Sequence, residues 1–242
     1  MIVLFTDFGA AGPYVGQMRA AIAARAPGAQ VIELLADAPA FDAQSSSYLL
    51  AALAPDFPAD AVFLAVVDPG VGGDRPPVIV EADGQRFVGP GNGLFEIVSR
   101  RATRTAATRI DWTPPRLSSS FHGRDLFAPV AAMIEIGEAV PAAPLDGSLH
   151  RRPDWPDDLD RVIYIDAYGN AMTGRRAATL PADAVLHAAG RRIAPGRVFG
   201  DVEPGEAFWY ENANGLVEIA VNRGRADGLR LAVSSTITIS IP

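Results

Sequence analysis

Polar residues that could handle a small reactant stand directly after apolar runs of the chain. Asp7 follows IVLFT and Asp68 follows AVFLAVV, and the ends of such predicted parallel strands are where open α/β sheets bind ligands. Three glycines separate Asp68 from Arg75, so this loop can bring a carboxylate and a guanidinium to one small site. His122, in SSSFHGRD, stands at the start of a predicted helix. We expect Asp68, Arg75 and His122 to form one polar cluster that carries the chemistry.

Each of these residues also has a purely structural interpretation. Asp7 and Asp68 could simply form turns, because acidic residues at strand ends are common turn formers. The glycine-rich loop could lie on the surface with a solvated arginine. His122 could belong, with Arg124 and Asp125, to the first-turn charge pattern of a helix. The residues alone leave both interpretations open.

A second group of polar residues lies in the last third of the chain. Asp166 and Asn170, in IDAYGN, flank a glycine turn after a predicted strand. A plain β-turn is the structural alternative for this pair. Trp209 and Tyr210 alternate on a later strand, so one of them is expected in the core.

Absent residue types narrow the chemistry. The chain has no cysteine, and all 21 of its Lys and Arg residues are arginines. Thiol nucleophiles, Schiff bases and the lysine of a phosphate-binding loop are therefore excluded. The three histidines are far apart in sequence, so we expect no metal site and no cofactor.

Composition indicates a globular protein. The chain has 242 residues, 49% of them hydrophobic, and a net charge of −7. Its arginine pairs are scattered rather than gathered into a basic stripe, so a nucleic-acid partner is not expected. No leader segment is evident and no apolar run approaches the roughly 20 residues that span a bilayer. We expect no membrane partner and a cytoplasmic location.

Periodicity predicts two domains, α/β and then all-β. Buried strands are predicted at 2–5, 30–34 and 61–67, with a helix after each of the first two and a hairpin across Asp83-Gly84. Asp42 is a predicted N-cap, and Pro129 should kink or reset the helix at 123–137. We predict a mostly parallel sheet in residues 1–145, a proline-rich connection at about 139–160, and a smaller β-barrel or sandwich in residues 160–242.

Seven segments, taken in order, carry a resemblance to a known family. They are FTDFG (5–9), YVGQMRAAI (14–22), VVDPGVGGDR (66–75), FVGPGNGLF (87–95), FHGRDLFAP (121–129), VIYIDAYGN (162–170) and LVEIAVNRG (216–224). Together they resemble the S-adenosyl-L-methionine hydroxide adenosyltransferase family, the hydrolase relatives of the fluorinase and chlorinase enzymes. The resemblance covers nearly the whole chain.

The resemblance implies an activity and a site. S-adenosyl-L-methionine and water would give adenosine and L-methionine, with Asp68, Arg75 and His122 as the water-handling triad. It also implies a homotrimer, in which substrate lies between the first domain of one subunit and the second domain of its neighbour. The implied substrate-binding residues are Asp7 at the ribose, Phe41 near the nucleoside, Asp166 at the methionine ammonium and Asn170 at the adenine.

Two positions depart from the family pattern. Gly91 stands where the family usually has an acid, and near Ala213 the family usually has a small hydroxyl residue that helps to hold the methionine carboxylate, which the alanine side chain cannot do. That carboxylate would then depend on backbone N–H groups or on Asn212 and Asn214. Two other functions stay open: a transferase that uses halide, against which Asp68 argues because halogenating relatives have an aromatic residue there, and a non-catalytic nucleoside-binding protein.

Overall fold

The computed structural model describes residues 1–145 and 150–241. These residues form two compact units, Met1–Trp155 and Pro156–Pro242. In the described part of the chain, no helix is both long and apolar enough to cross a membrane.

The first unit alternates strands and helices. Its strands are β1 (Ile2–Thr6), β2 (Val31–Leu35), β3 (Val62–Val66), β4 (Pro77–Ala82), β5 (Gln85–Pro90), β6 (Thr105–Ile110) and β7 (Ala142–Pro144). Its helices are α1 (Tyr14–Arg25), α2 (Ala43–Leu53), α3 (Glu96–Arg101) and α4 (Ala128–Glu135), with a π-helical turn at Gly123–Phe127 directly before α4.

The sheet of the first unit is mixed, so the prediction of a mostly parallel sheet was wrong. Its order is β2-β1-β3-β5-β4-β6-β7. The pairs among β2, β1, β3 and β5 are parallel, whereas β4 pairs antiparallel with β5 and β6, and β6 with β7. The cause is the hairpin across Asp83-Gly84, which was predicted correctly: it returns the chain antiparallel, and two further strands that were not predicted extend that edge.

Two local predictions in this unit are confirmed. The Asp42 side chain accepts the backbone N–H of Ser45 at 2.9 Å and caps α2. Pro129 lies in the first turn of α4, where its missing N–H costs nothing, and the π-helical turn changes to α-helix there. β1 and β3 are buried along their whole length. Asp7 and Asp68, which follow these two strands, are therefore anchored to the core.

The second unit is built from strands. They are β8 (Leu159–Ile165), β9 (Ala171–Arg176), β10 (Val185–Ala188), β11 (Arg191–Pro195), β12 (Ala207–Glu211), β13 (Leu216–Val221) and β14 (Thr238–Ser240). Their order in one sheet is β14-β10-β11-β12-β13-β9-β8. All pairs are antiparallel except β11 with β12.

The second sheet curls so that its two edges approach. Backbone groups of Ser234 and Ser235 hydrogen-bond to Val162 of β8 at 2.8 Å. A few residues later β14 pairs with β10 at the opposite edge. This arrangement fits the barrel-like domain that the sequence predicts. Trp209 is buried in its core, 5% exposed, whereas Tyr210 is only partly buried.

Candidate active site

Asp7 and Asp68 leave the first sheet at the same edge. β1 and β3 are parallel neighbours with Thr6 opposite Val66, and each aspartate follows its strand within two residues. Burial raises the pKa of Asp7, and the negative charge of Asp68 adds to that effect. Two carboxylates therefore face one region at the carboxyl ends of the parallel strands, as the sequence predicts.

Asp7 is tied to the loop that carries Phe41. Its Oδ2 accepts the backbone N–H of Phe41 at 3.0 Å, which opposes the rise in the Asp7 pKa. Phe41 has a left-handed backbone, with φ of 60°, and its side chain is 78% exposed. Non-glycine residues with a strained backbone of this kind cluster at active sites and ligand-binding sites.

Asp68 and Arg75 form a buried ion pair. Arg75 Nε lies 3.0 Å from both carboxylate oxygens of Asp68, and Nη2 also donates to Oδ2. Only 4% of the Asp68 side chain and 10% of the Arg75 side chain are exposed. The loop between them turns at Gly72, with φ of 78°, where a Cβ would lie 2.4 Å from the carbonyl oxygen of Ser119. The loop thus packs against the segment that leads to His122.

His122 completes the cluster through Arg75. The distance from Arg75 Nη2 to His122 Nδ1 is 2.9 Å. A guanidinium is always a donor, so Nδ1 accepts this bond and the ring proton stands on Nε2. Burial, and then the charge of Arg75, lower the pKa of His122, with Asp68 and Asp125 opposing. A neutral His122 therefore offers an Nε2–H donor, and it is not the base of the cluster.

An aromatic ring packs against the Arg75 guanidinium. The ring centroid of Phe127, which is fully buried, lies 5.2 Å from Arg75 Cζ. This contact fixes the plane of the guanidinium while its edge holds Asp68 and His122.

A cavity of about 420 Å³ opens beside the cluster. Asp68 and His122 line it together with three aromatic rings, those of Phe8, Tyr14 and Phe121, whose centroids lie 5.3 to 5.9 Å apart in edge-to-face contacts. These three rings were not predicted from the sequence as site residues. The available signal was position, because Phe8 follows Asp7 and Phe121 precedes His122.

Asp166 and Asn170 form a turn at the end of β8. Asp166 Oδ1 accepts the backbone N–H of Asn170 at 2.8 Å, and Oδ2 accepts its amide Nδ2 at 3.1 Å. Gly169 makes the turn with φ of 85°. Both residues also line a cavity of about 600 Å³ in the second unit. The turn and the site interpretations are therefore compatible.

Asn212 is occupied by local hydrogen bonds. Its Oδ1 accepts the backbone N–H groups of Asn214 and Leu216 at 3.0 Å each, and its Nδ2 donates to Glu218 Oε2 at 2.8 Å. With Ala213 it lines another cavity, of about 850 Å³, and it is not among the lining residues of the Asp166 cavity. Glu218, which was not predicted from the sequence, lines the Asp166 cavity and accepts the hydrogen bond from Asn212, so it connects the two cavities. Its signal was a single acid within the apolar run LVEIAV.

Metal ligands do not gather anywhere in residues 1–145 and 150–241: no three His, Asp or Glu side chains are placed to hold an ion together. Of the predicted site residues, the first unit carries Asp7, Phe41, Asp68, Arg75 and His122, and the second unit carries Asp166, Asn170 and Asn212.

Comparison with known proteins relates both units to one family. The model of the SAM hydroxide adenosyltransferase N-terminal domain matches residues 2–143, and that of the C-terminal domain matches residues 160–237. The chain is 38% identical to (R)-S-adenosyl-L-methionine hydrolase of Thermus thermophilus over 245 residues, covering 93% of each protein. It is 37% identical to the Salinispora arenicola protein of the same name, covering 95% of this chain and 92% of that one.

Solved structures agree with this assignment. The crystal structure of an uncharacterized conserved protein from Thermotoga maritima superposes with a TM-score of 0.82 and 29% identity, covering 99% of this chain and 100% of that one. The crystal structure of a conserved hypothetical protein from Thermus thermophilus superposes with a TM-score of 0.76 and 32% identity, covering 99% of both. The chain belongs to the SAM hydroxide adenosyltransferase family.

Proposed function

We propose that this protein hydrolyses S-adenosyl-L-methionine to adenosine and L-methionine, by attack of water on the ribose C5′ carbon. The observation that carries the proposal is the Arg75 guanidinium, which binds both Asp68 and His122 at the edge of a cavity. The names of the relatives support hydrolysis rather than another adenosyl transfer.

The leaving group makes few demands on the protein. A sulfonium departs as a neutral thioether, so no acid is needed to protonate it and no negative charge develops on it. Catalysis then consists of placing one water molecule in line with the C5′–S bond, and positioning of this kind can lower a barrier by several kcal/mol.

The triad acts on the attacking water. Bulk water has a pKa near 15.7, so a carboxylate alone cannot generate free hydroxide. Asp68 accepts a hydrogen bond from the water, and His122 Nε2–H donates one to it, while Arg75 holds both residues in place. As the C5′–O bond forms and the C5′–S bond breaks, the oxygen becomes acidic. One proton passes to Asp68 and then to solvent, and the electron pair of the broken bond stays on sulfur.

The remaining residues bind the substrate. Asp7 accepts the two ribose hydroxyls, and Phe41 packs near the nucleoside from its exposed position. Asn170 pairs with an adenine edge, and Asp166 pairs with the methionine ammonium. Asn212 serves the methionine end with its remaining amide N–H, because its oxygen already accepts two backbone bonds.

The two predicted domains contribute different halves of the site. Residues 1–145 supply the nucleoside-binding and catalytic part, and residues 160–242 complete the substrate site. We propose a homotrimer with each site formed between subunits, as the family resemblance implies. Size-exclusion chromatography with light scattering tests the trimer.

Turnover tests the hydrolysis. Purified protein incubated with S-adenosyl-L-methionine should release adenosine and methionine in equal amounts, measured by chromatography. Asp68→Ala should abolish release, whereas Asp74→Ala, which removes an exposed acid from the same loop, should leave it intact. Chloride or fluoride should give no 5′-halogenated adenosine, because the Asp68 carboxylate repels an anion. Equal loss in both variants, or no adenosine from the natural chain, would contradict the proposal.

A further inference from the structure

Glu218 is a buried carboxylate in the second unit. It stands in the middle of β13, whose residues are all buried, and it is 2% exposed. Tyr210 donates its hydroxyl to Oε1, and Asn212 donates Nδ2 to Oε2 at 2.8 Å. Within residues 1–145 and 150–241, no arginine forms an ion pair with it. Such a carboxylate lacks the positive partner that burial normally requires.

The same carboxylate lines the Asp166 cavity. Asp166, Asn170, Tyr210 and Glu218 line a space of about 600 Å³. Its polar lining also includes a second phenol, that of Tyr168, and two arginines, Arg223 and Arg225. Among the described residues, an arginine acts on Asp166 but none acts on Glu218, and a ligand cation would supply the partner that Glu218 lacks.

Two arginines also line the cavity, and the charge of one of them acts on Asp166. Arg223 and Arg225 line the cavity from exposed positions. Arg225 is engaged with Asp227 at 2.8 Å and with the carbonyl oxygen of Ala167 at 3.0 Å. It therefore braces the turn that carries Asp166, and its charge acts on that carboxylate but not on Glu218.

We propose that Glu218 determines specificity by forming, with Asp166, a two-carboxylate receptor for the protonated α-amine of the methionine end. This inference rests on the proposed function for the identity of the ligand, and on the geometry of the second unit for the receptor. Asp166 contacts the ammonium group, while Glu218 supplies the second negative charge and orients Tyr210 on the cavity wall.

Proton release should accompany binding to this receptor. Burial raises the pKa of Glu218, and the charge of Asp166 adds to it, while the bonds from Asn212 and Tyr210 oppose the rise. The free protein therefore keeps Glu218 partly protonated at pH values above the usual glutamate range. An incoming ammonium favours the ionised form, so its binding expels a proton in that window.

Binding of two related ligands isolates the role of Glu218. Calorimetry on an Asp68→Ala background, which prevents turnover, compares S-adenosyl-L-homocysteine with 5′-methylthioadenosine. Both are neutral thioethers, and only the first carries the amino acid. Adding Glu218→Gln should weaken the first ligand about 10- to 100-fold, as expected for a lost interaction with a charged group, and should leave the second unchanged. Glu211→Gln, an exposed acid on the same hairpin, is the matched control and should change neither.

A second measurement decides the matter even where Glu218→Gln does not fold. Titrations of the Asp68→Ala chain between pH 5 and 7, in two buffers of different ionisation enthalpy, should show proton release with S-adenosyl-L-homocysteine but less with 5′-methylthioadenosine. Asp7, whose pKa is also raised, contributes equally to both ligands because they share the ribose. Equal weakening of both ligands, equal proton release, or no binding of S-adenosyl-L-homocysteine would overturn the inference. Failure of the natural chain to release adenosine would overturn the proposed hydrolysis instead.

Discussion

Removing Arg75 should damage stability and turnover together, because one guanidinium serves a buried carboxylate and the triad. Arg75→Met leaves Asp68, whose side chain is only 4% exposed, without its positive partner. Stranding one member of a buried ion pair costs about 3–5 kcal/mol in the free energy of unfolding. The double variant Asp68→Asn/Arg75→Met removes both charges, so it should recover about 2 kcal/mol of that loss.

Turnover should follow a different rule from stability. Asp68 and Arg75 place the same water molecule, so each single variant and the double variant should all lose about 10²- to 10³-fold or more in adenosine release. Stability is measured by urea unfolding and turnover by chromatography. Arg109→Met, which breaks an exposed pair with Asp111, is the control and should change both little. Additive stability losses, or a double variant that is far slower than either single variant, would refute this account of the ion pair.

Three further predictions concern Glu96, which binds arginines of the predicted inter-domain connection, His122 of the triad, and Gly72 of the loop between Asp68 and Arg75. Burial would raise the pKa of Glu96, but hydrogen bonds from Arg151, Arg152 and Arg100 lower it from 4.5 to about 2. This lowered pKa corresponds to about 3 kcal/mol of stability, which is present above pH 4.5 and lost as pH falls toward 2. Glu96→Gln should therefore lower the free energy of unfolding and flatten its pH dependence. Urea titrations from pH 2 to 7 measure both effects. Because the His122 pKa is lowered, kcat/KM should fall only as pH drops below 6.5. His122→Gln should not show this acidic decrease in kcat/KM. An unchanged decrease in that variant would assign the titration to another group. Gly72→Ala places a Cβ against the Ser119 carbonyl and should slow adenosine release at least about tenfold, whereas Gly16→Ala, with open space around it, should not.

Local features of the fold were readable from the sequence because short-range chemistry determines them. The Asp83-Gly84 turn places both residues at positive φ, 48° and 101°, which is the signature of the predicted hairpin. Asp42 caps its helix through a bond to a residue three positions away. Each prediction required only neighbouring residues.

Long-range pairing was not readable in the same way. β6 (TAATRI), β9 (AMTGRR) and β11 (RRIAP) lack the alternation or apolar content that marks a strand, and their partners hold them in the sheets. Conversely, the run LRLAVSSTITISI at 229–241 has the composition of one long strand but forms only β14. Arg230 and Ser234 adopt left-handed backbones there, with φ of 68° and 74°, which a strand does not accommodate.

The candidate site divides along the same line. Asp68, Arg75 and His122 were grouped from a glycine-rich loop and a helix start, and the structure joins them by hydrogen bonds. Glu218 and Tyr210 were not predicted as site residues. Their hydrogen bond connects adjacent antiparallel strands, and the sequence of either strand alone does not determine their register. The catalytic and binding roles of these residues stay predictions.

Isotope labelling tests the central claim most directly. Turnover of S-adenosyl-L-methionine in water enriched in oxygen-18 should place one label on the 5′ oxygen of adenosine and none on methionine, as read by mass spectrometry. That result follows from attack of water on C5′ with sulfur as the leaving group. Label in the amino-acid product, or 5′-methylthioadenosine in place of adenosine, would contradict the account.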